Sequence, residues 1–234
     1  MWNGKNKAVT FSFDDGNFQD EKVITILNKY NLKGTFNLCS GLLGKPWQNS
    51  HDGKTADCTK IKPERVKDVY LGHEVASHTI THPRLTELSD SEVIRQVEED
   101  RLYLSNLVGY DVVGFAYPNR APNYDKRVLD LIKNKTGIKY ARTVNFTWDF
   151  AESINLFEFH PTVYQAQIDR AIALAKEFTQ KSFDSPTVFS IMGHSYEADL
   201  DLLTWEKFDE LCAILSNHDD IFYGTNKDIL LCKK

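Results

Sequence analysis

The chain has 234 residues, 41% of them hydrophobic and 12% aromatic, enough for a sizeable core and too apolar for a disordered or fibrous protein. Lys and Arg number 28 against 33 Asp and Glu, a formal charge of −5, and no run of five or six like charges marks a nucleic-acid-binding arm, so capture of a polyanion is excluded. No stretch approaches the roughly 18 apolar residues needed to span a bilayer, and MWNGKNKAVTF carries no apolar signal region; the sequence reads as cytoplasmic, or as secreted or cell-surface if it has been trimmed.

Apolar, β-branched runs alternate with helical patterns, the signature of βα units around a mostly parallel sheet. Residues 8–13 predict the first strand, and 20–30 a helix with Val23, Ile24, Leu27 and Tyr30 on one face. A second strand spans 34–38. The polar stretch 40–60, broken by Gly41, Gly44, Pro46 and Gly53, reads as a long loop able to wall a site. A third strand, 73–77, runs into HTITH. Ser89 with Glu92 three residues on signals a capping box, opening a helix that carries Val93, Val97, Leu104 and Val108. Strands at 112–117, 139–144, 187–192 and 221–223 alternate with helices at 124–133, 166–178 and 205–216. Without repeats, low-complexity tracts or linkers, residues 1–234 read as one domain. Cys39, Cys58, Cys212 and Cys232 form no CxxC pair and read as reduced thiols, with one bridge as the alternative in an exported protein.

In such folds chemistry collects on the loops that follow strand C-termini, and four groups fall there. TFSFDDG runs a buried strand into Asp14, Asp15 and Gly16. Two carboxylates at a strand end cannot both be desolvated unpaired, so they form a solvated Asp-Gly turn, or one binds a metal while its neighbour handles a proton. His78 and His82 are four apart, a spacing that on a helical turn puts both imidazoles within reach of one divalent ion. Two histidines and a carboxylate leave positions open for water and substrate, the pattern of a catalytic metal. YPNR, at 117–120, and His194, in GHSYE after a buried strand, complete the set; His194 is placed either as a general acid or as a structural histidine.

In this order and spacing, TFSFDDG, HTITH, FAYP and the strand ending in GHS resemble the motifs of the polysaccharide deacetylase family, also called the NodB homology domain or carbohydrate esterase family 4, over residues 7–229. The resemblance implies an α/β fold, a distorted (β/α) barrel of about seven parallel strands. It also implies metal-dependent hydrolysis of N- or O-acetyl groups on a carbohydrate of chitooligosaccharide, peptidoglycan or acetylxylan type. By motif position it makes Asp14 the general base, Asp15, His78 and His82 the ligands of one divalent ion, His194 the general acid and the backbone N–H of Asn119 an oxyanion donor. Zinc suits that ligand set, as do cobalt, nickel and iron.

The sequence departs from the family pattern in two places. Ala116 stands where the third motif carries an arginine, and Asn119 and Arg120 follow Pro118 in place of an aromatic residue and glycine, with Arg120 at hand to compensate. The fourth motif, whose aspartate tunes the catalytic histidine, has no clear match; ARTVNFTWDF offers Arg142, in an Arg-Thr pair typical of the FAYP branch, with Trp148 and Asp149. Tyr117, Pro118, Asn119, Arg120, Arg142 and Trp148 are thus the candidate oxyanion- and substrate-contacting residues, Trp148 reading equally as packing. Specificity is expected from the 40–60 loop, Trp47, Tyr124 and Trp148, and His160 and Glu197 are further polar candidates near the mouth, whereas His73 reads as structural. The same branch resembles allantoinase-like hydrolases of small cyclic amides or imides. That activity, and a catalytically idle carbohydrate-binding barrel, are the alternatives.

Overall fold

Eight successive buried residues, Lys7–Asp14, form the first strand (β1), and the amphipathic helix α1 (Asp20–Lys29) follows with Val23, Ile24 and Leu27 turned inward. The computed structural model describes residues 1–150 and 155–232. After β2 (Gly34–Leu38) come a hairpin of β3 (Gln48–His51) and β4 (Lys54–Asp57), a single turn α2 (Val66–Val69), and β5 (Glu74–Ser77). The long helix α3 (Asp90–Val108) leads to β6 (Gly114–Ala116), α4 (Lys126–Lys135) and β7 (Tyr140–Arg142). The chain ends with β8 (Val163–Tyr164), α5 (Ile168–Gln180), β9 (Thr187–Gly193), α6 (Trp205–Leu215), β10 (Ile221–Tyr223) and α7 (Asn226–Leu230).

The main sheet runs β7-β6-β5-β2-β1-β9-β8, every pairing parallel, with β10 beside the first half of β1. Its two ends approach each other through the segment that enters β8. The Phe159 amide donates to the Ala141 carbonyl at 3.0 Å, while the Thr162 and Gln165 amides donate to the Ser190 and Met192 carbonyls at 2.8 Å. One segment thus bonds to β7 on one side and β9 on the other, curling the sheet into the distorted parallel barrel expected from the sequence. Strand C-termini therefore share one mouth.

The two-residue period of a strand divides β1 between two environments. Val9, Phe11 and Phe13 pack under the helices with Phe36, Phe189 and Phe208, and each such side chain contributes about 1.5–3 kcal/mol by burial. Thr10, Ser12 and Asp14 turn into the barrel, where Thr10 donates to Asn226 at 2.9 Å and Asn37 donates to Ser12 at 2.9 Å. A hydrogen-bonded polar ladder thus leads up to Asp14.

Several local expectations are corrected. The stretch 40–60 is not an irregular loop throughout: Asp52 (φ +45°) and Gly53 (φ +79°) make the two-residue positive-φ turn that an Asp-Gly pair favours, and β3 and β4 pair across it. Strand β6 is shorter than the apolar run 112–117, and α7, capped by a Thr225–Asp228 box, follows β10. Ser89 caps α3, accepting the Glu92 amide, and Gly109 ends it at φ +81°. Cys39, Cys58 and Cys212 are buried thiols. Among the described residues no helix is long and apolar enough to cross a membrane.

Candidate active site

Asp14 ends β1 and is 2% exposed. In an unbroken strand Asp15 would point to the opposite face, but its φ of +82° breaks the alternation and brings both carboxylates to the mouth. Gly16, at φ +66°, is required here: a Cβ would lie 2.7 Å from the Leu38 side chain. Asp14 Oδ1 accepts from Asn37 Nδ2 at 2.8 Å and from the Arg142 guanidinium, while Oδ2 lies 3.9 Å from His78 Nε2. Burial alone would raise the Asp14 pKa; Arg142, with His78 and His194, outweighs it and holds the carboxyl below its usual range.

His78 and His82 do not sit on a helical turn. They flank an irregular loop with Thr79 at φ +73° and His82 at φ +60°, and the loop folds so that the rings meet edge to face at 4.9 Å. His78 Nδ1 lies 2.8 Å from the Ala116 carbonyl, which can only accept, so Nδ1 carries the proton and Nε2 presents a lone pair. Burial drives the His78 pKa down to about 4 despite Asp14 beside it, leaving the ring neutral at pH 7. Buried Asp100 anchors the loop, accepting from the Ser40 amide at 2.7 Å, the Ser77 hydroxyl and the His78 amide at 3.2 Å.

Asp15 Oδ1 lies 3.9 Å from His78 Nε2 and 3.7 Å from His82 Nε2, and the three ligand atoms fall within 4.8 Å of one another. Bonds of about 2.0–2.1 Å at tetrahedral angles separate ligand atoms by roughly 3.3 Å, so the cluster would have to close somewhat to take a zinc-sized ion. The donor chemistry fits: one ionised carboxylate and an imidazole of fixed tautomer. Burial works against the Asp15 charge, but Lys60, its Nζ 3.6 Å from Oδ2, together with His194 and His78 keeps the carboxyl well below its ordinary pKa.

His194 follows β9, its ring 22% exposed at the mouth, and its Nδ1 lies 2.9 Å from Glu197 Oε1. Glu197 is fully buried, and the Tyr164 hydroxyl and Gln165 Nε2 (2.9 Å) also donate to it. Burial would lower the His194 pKa; the Glu197 hydrogen bond and charge, then Asp15 and Asp14, raise it to about 9. At pH 7 His194 is an imidazolium.

The remaining sequence candidates separate. Arg142 is fully buried against Asp14, with Nη1 donating to the Thr143 carbonyl at 3.0 Å, so it serves the carboxylate instead of touching substrate. Arg120 is exposed and is not the arginine on Asp14. Tyr117 is buried, stacked on Tyr124 at 4.4 Å with its hydroxyl donating to the Phe157 carbonyl at 3.1 Å, and Pro118 is buried beside it. Asn119, at φ +70°, donates to the His82 carbonyl at 3.3 Å and so adjoins the ligand loop. One face of Trp148 is covered by the Arg170 guanidinium, 3.9 Å from the ring centroid, which makes it packing instead of an open platform. Asp149 is exposed, and His160 bonds Thr143 through Nδ1 at 2.6 Å. His73 is structural: Nδ1 accepts the Gly34 amide at 3.1 Å and Nε2 meets Asn28. Asn37, Lys60 and Asp100 escaped sequence reasoning, since their partners lie on other strands and no local pattern marks them. The three-residue spacing of His194 and Glu197 was the available signal for that pair.

The family model described as polysaccharide deacetylase matches residues 3–141. A bifunctional xylanase/deacetylase of Pseudobutyrivibrio xylanivorans is 30% identical over 113 residues, 48% of this chain and 16% of that protein; the chain thus spans a minor part of this relative. Among solved structures, a Mycobacterium smegmatis protein assigned to the polysaccharide deacetylases aligns with TM-score 0.70 at 16% identity, covering 97% of this chain and 89% of the other. BA3943 of Bacillus anthracis, described as a carbohydrate esterase family 4 pseudoenzyme, aligns with TM-score 0.57 at 17% identity, covering 97% and 66%. Identities this low establish a shared fold alone. The matched family segment, more than half of the chain and including Asp14, Asp15, His78 and His82, places this protein in the polysaccharide deacetylase family.

Proposed function

We propose that this protein is a metal-dependent hydrolase that removes N- or O-linked acetyl groups from a carbohydrate of chitooligosaccharide, peptidoglycan or acetylxylan type. The observation that carries the reading is geometric: Asp14, held by Asn37 and Arg142, and His194, held by Glu197, meet at one mouth beside a three-ligand cluster. An idle barrel has no need of such a proton-transfer pair. The pseudoenzyme relative shows that the fold does not settle activity, so the argument rests on these residues. The xylanase/deacetylase relative supports the acetylxylan option.

Asp15, His78 and His82 would hold one divalent ion, zinc by ligand type with cobalt, nickel or iron also suited, and when bound it would supply a Lewis acid and an acidified water. Asp14 uses Oδ2 as the general base, because Oδ1 is committed to Asn37 and Arg142. Asp14 takes a proton as the water oxygen forms its bond to the acetyl carbon, and the backbone N–H of Asn119 receives the developing oxyanion. His194 delivers its proton to the departing nitrogen or oxygen as that bond breaks, releasing acetate and the free amine or hydroxyl. Glu197 holds His194 in the donating state.

Acetate release from chitooligosaccharides, acetylated xylan and peptidoglycan fragments, before and after chelation and metal add-back, tests the reading. Release that stops with chelator and returns with metal is expected. No release from any substrate with metal bound would overturn it in favour of a small cyclic amide.

A further inference from the structure

Lysine is seldom fully buried without a partner, and Lys60 is 4% exposed. Its ammonium donates to Asn17 Oδ1 at 2.7 Å and lies 3.6 Å from Asp15 Oδ2; among the described residues Asp15 is its one ion-pair partner. Backbone pairing fixes the lysine there. Residues 59–61 run antiparallel to 16–18, with the Phe18 amide donating to the Thr59 carbonyl at 3.0 Å and the Ile61 amide to the Gly16 carbonyl at 2.8 Å, while Asn17 and Lys60 face each other across the bridge. On its other side the Lys60 amide donates to the Lys45 carbonyl at 3.0 Å. The segment that carries the cation is thus bonded to the turn that carries Asp15.

The two oxygens of Asp15 face different partners: Oδ1 turns to His78 and His82, Oδ2 to Lys60. Three carboxylates at the mouth each have a cation of their own, Asp14 with Arg142, Asp15 with Lys60 and Glu197 with His194. These pairs balance without any divalent ion. An ion held by Asp15, His78 and His82 therefore brings two positive charges up to a carboxylate that already has an ammonium beside it. In a buried setting that repulsion is strong and poorly screened by salt.

We infer that Lys60 is a built-in counter-cation of the candidate metal centre: it balances Asp15 in the metal-free protein and lowers the affinity for the divalent ion, keeping that ion exchangeable. The nearer contact, to the fully buried Asn17, holds the ammonium in place whether or not an ion is bound. A compact point charge suits this role better than a guanidinium fork, which would bond both carboxylate oxygens and take Oδ1 from the ligand set. The inference rests on the metal site proposed above and not on the identity of the acetylated substrate.

Calorimetric titration of zinc and cobalt into the chelator-stripped full chain tests this in wild type, Lys60→Met and Asn17→Asp. A pH of 8, far above the ordinary carboxylate range, keeps Asp15 ionised in all three. Lys60→Met removes the charge and keeps the stem; Asn17→Asp keeps the lysine but gives it a nearer carboxylate, and decides the matter if Lys60→Met does not fold. Both variants are expected to bind zinc about tenfold more tightly than wild type and to release it to a chelator more slowly. In urea, Lys60→Met should be less stable than wild type without metal and should recover most of the difference with zinc. A lysine that merely props the ligand loop predicts the opposite sign: weaker zinc binding in Lys60→Met, or affinity equal to wild type in both variants, would overturn the inference alone. No binding of zinc or cobalt by wild type would overturn the metal site itself, and the inference with it.

Discussion

Arg142 and Asp14 meet at the barrel mouth across 128 residues of sequence. Arg142 is the register partner of Ala116 on the neighbouring strand, so a buried arginine stands one strand along from the position where the resemblance leads one to expect an arginine, and it pairs with Asp14.

Replacing Arg142 with Met should therefore raise the Asp14 pKa, since burial would then act with less opposition. The base would stay protonated to higher pH, and the acid limb of kcat/KM should move upward. The unpaired buried carboxylate should also cost about 3–5 kcal/mol of stability by urea denaturation. An acid limb that stays in place would remove Arg142 from the base.

Glu197→Gln should act on the opposite limb. His194 is raised to about 9 against burial by its Glu197 partner, so loss of that charge lowers its pKa and the alkaline limb of kcat/KM should shift to lower pH. Glu197→Asp should shift it less. A profile unmoved in both variants would leave Glu197 with a packing role only.

If Asp14 is the proposed base, Asp14→Asn should reduce turnover by about 10²- to 10⁴-fold while metal stays bound. His78→Ala should lose the metal itself. Paired metal analysis and acetate assays distinguish these outcomes, and an active Asp14→Asn would refute the assignment of the base.

Asp20 provides a stability test away from turnover. Its carboxyl is buried, with the Tyr70 hydroxyl donating at 2.7 Å, and burial raises its pKa from 3.8 to about 7 against that hydrogen bond. Between those two pH values the folded state keeps a proton that the unfolded chain has released, so this group's contribution falls as pH rises from about 4 to about 7. Asp20→Asn should remove that decline, improving on wild type at pH 8 more than at pH 5 in urea melts. Equal pH profiles would show that Asp20 titrates normally.

The barrel and the motif residues were legible because they are written locally. Strand periodicity marks β1, the Asp-Asp-Gly run marks its end, and the His78–His82 spacing survives even though the turn is irregular instead of helical. What the sequence hid is pairwise and long-range. Arg142 looked like a substrate contact until β7 was seen in register with β6, and Arg120 looked like its substitute although it faces solvent. Trp148 offered two readings that only Arg170, on the distant helix α5, separates. The β3–β4 hairpin was the local miss: Asp52-Gly53 carried its turn signal, masked by the polar residues around it.

The strand that carries Asp14 takes its neighbours from both ends of the polypeptide. Lys7 pairs with Thr187 on one side and Ile221 on the other, whereas β2 lies only a helix away. Contacts so distant along the chain require long loops to close before any pairing is gained, which slows folding relative to topologies built from local contacts. Because β9 flanks β1 and also delivers His194, the step that completes the centre of the sheet is the step that brings the proposed acid to the proposed base. Catalytic competence should thus return in refolding with the same time course as the final tertiary signal, with no earlier active species.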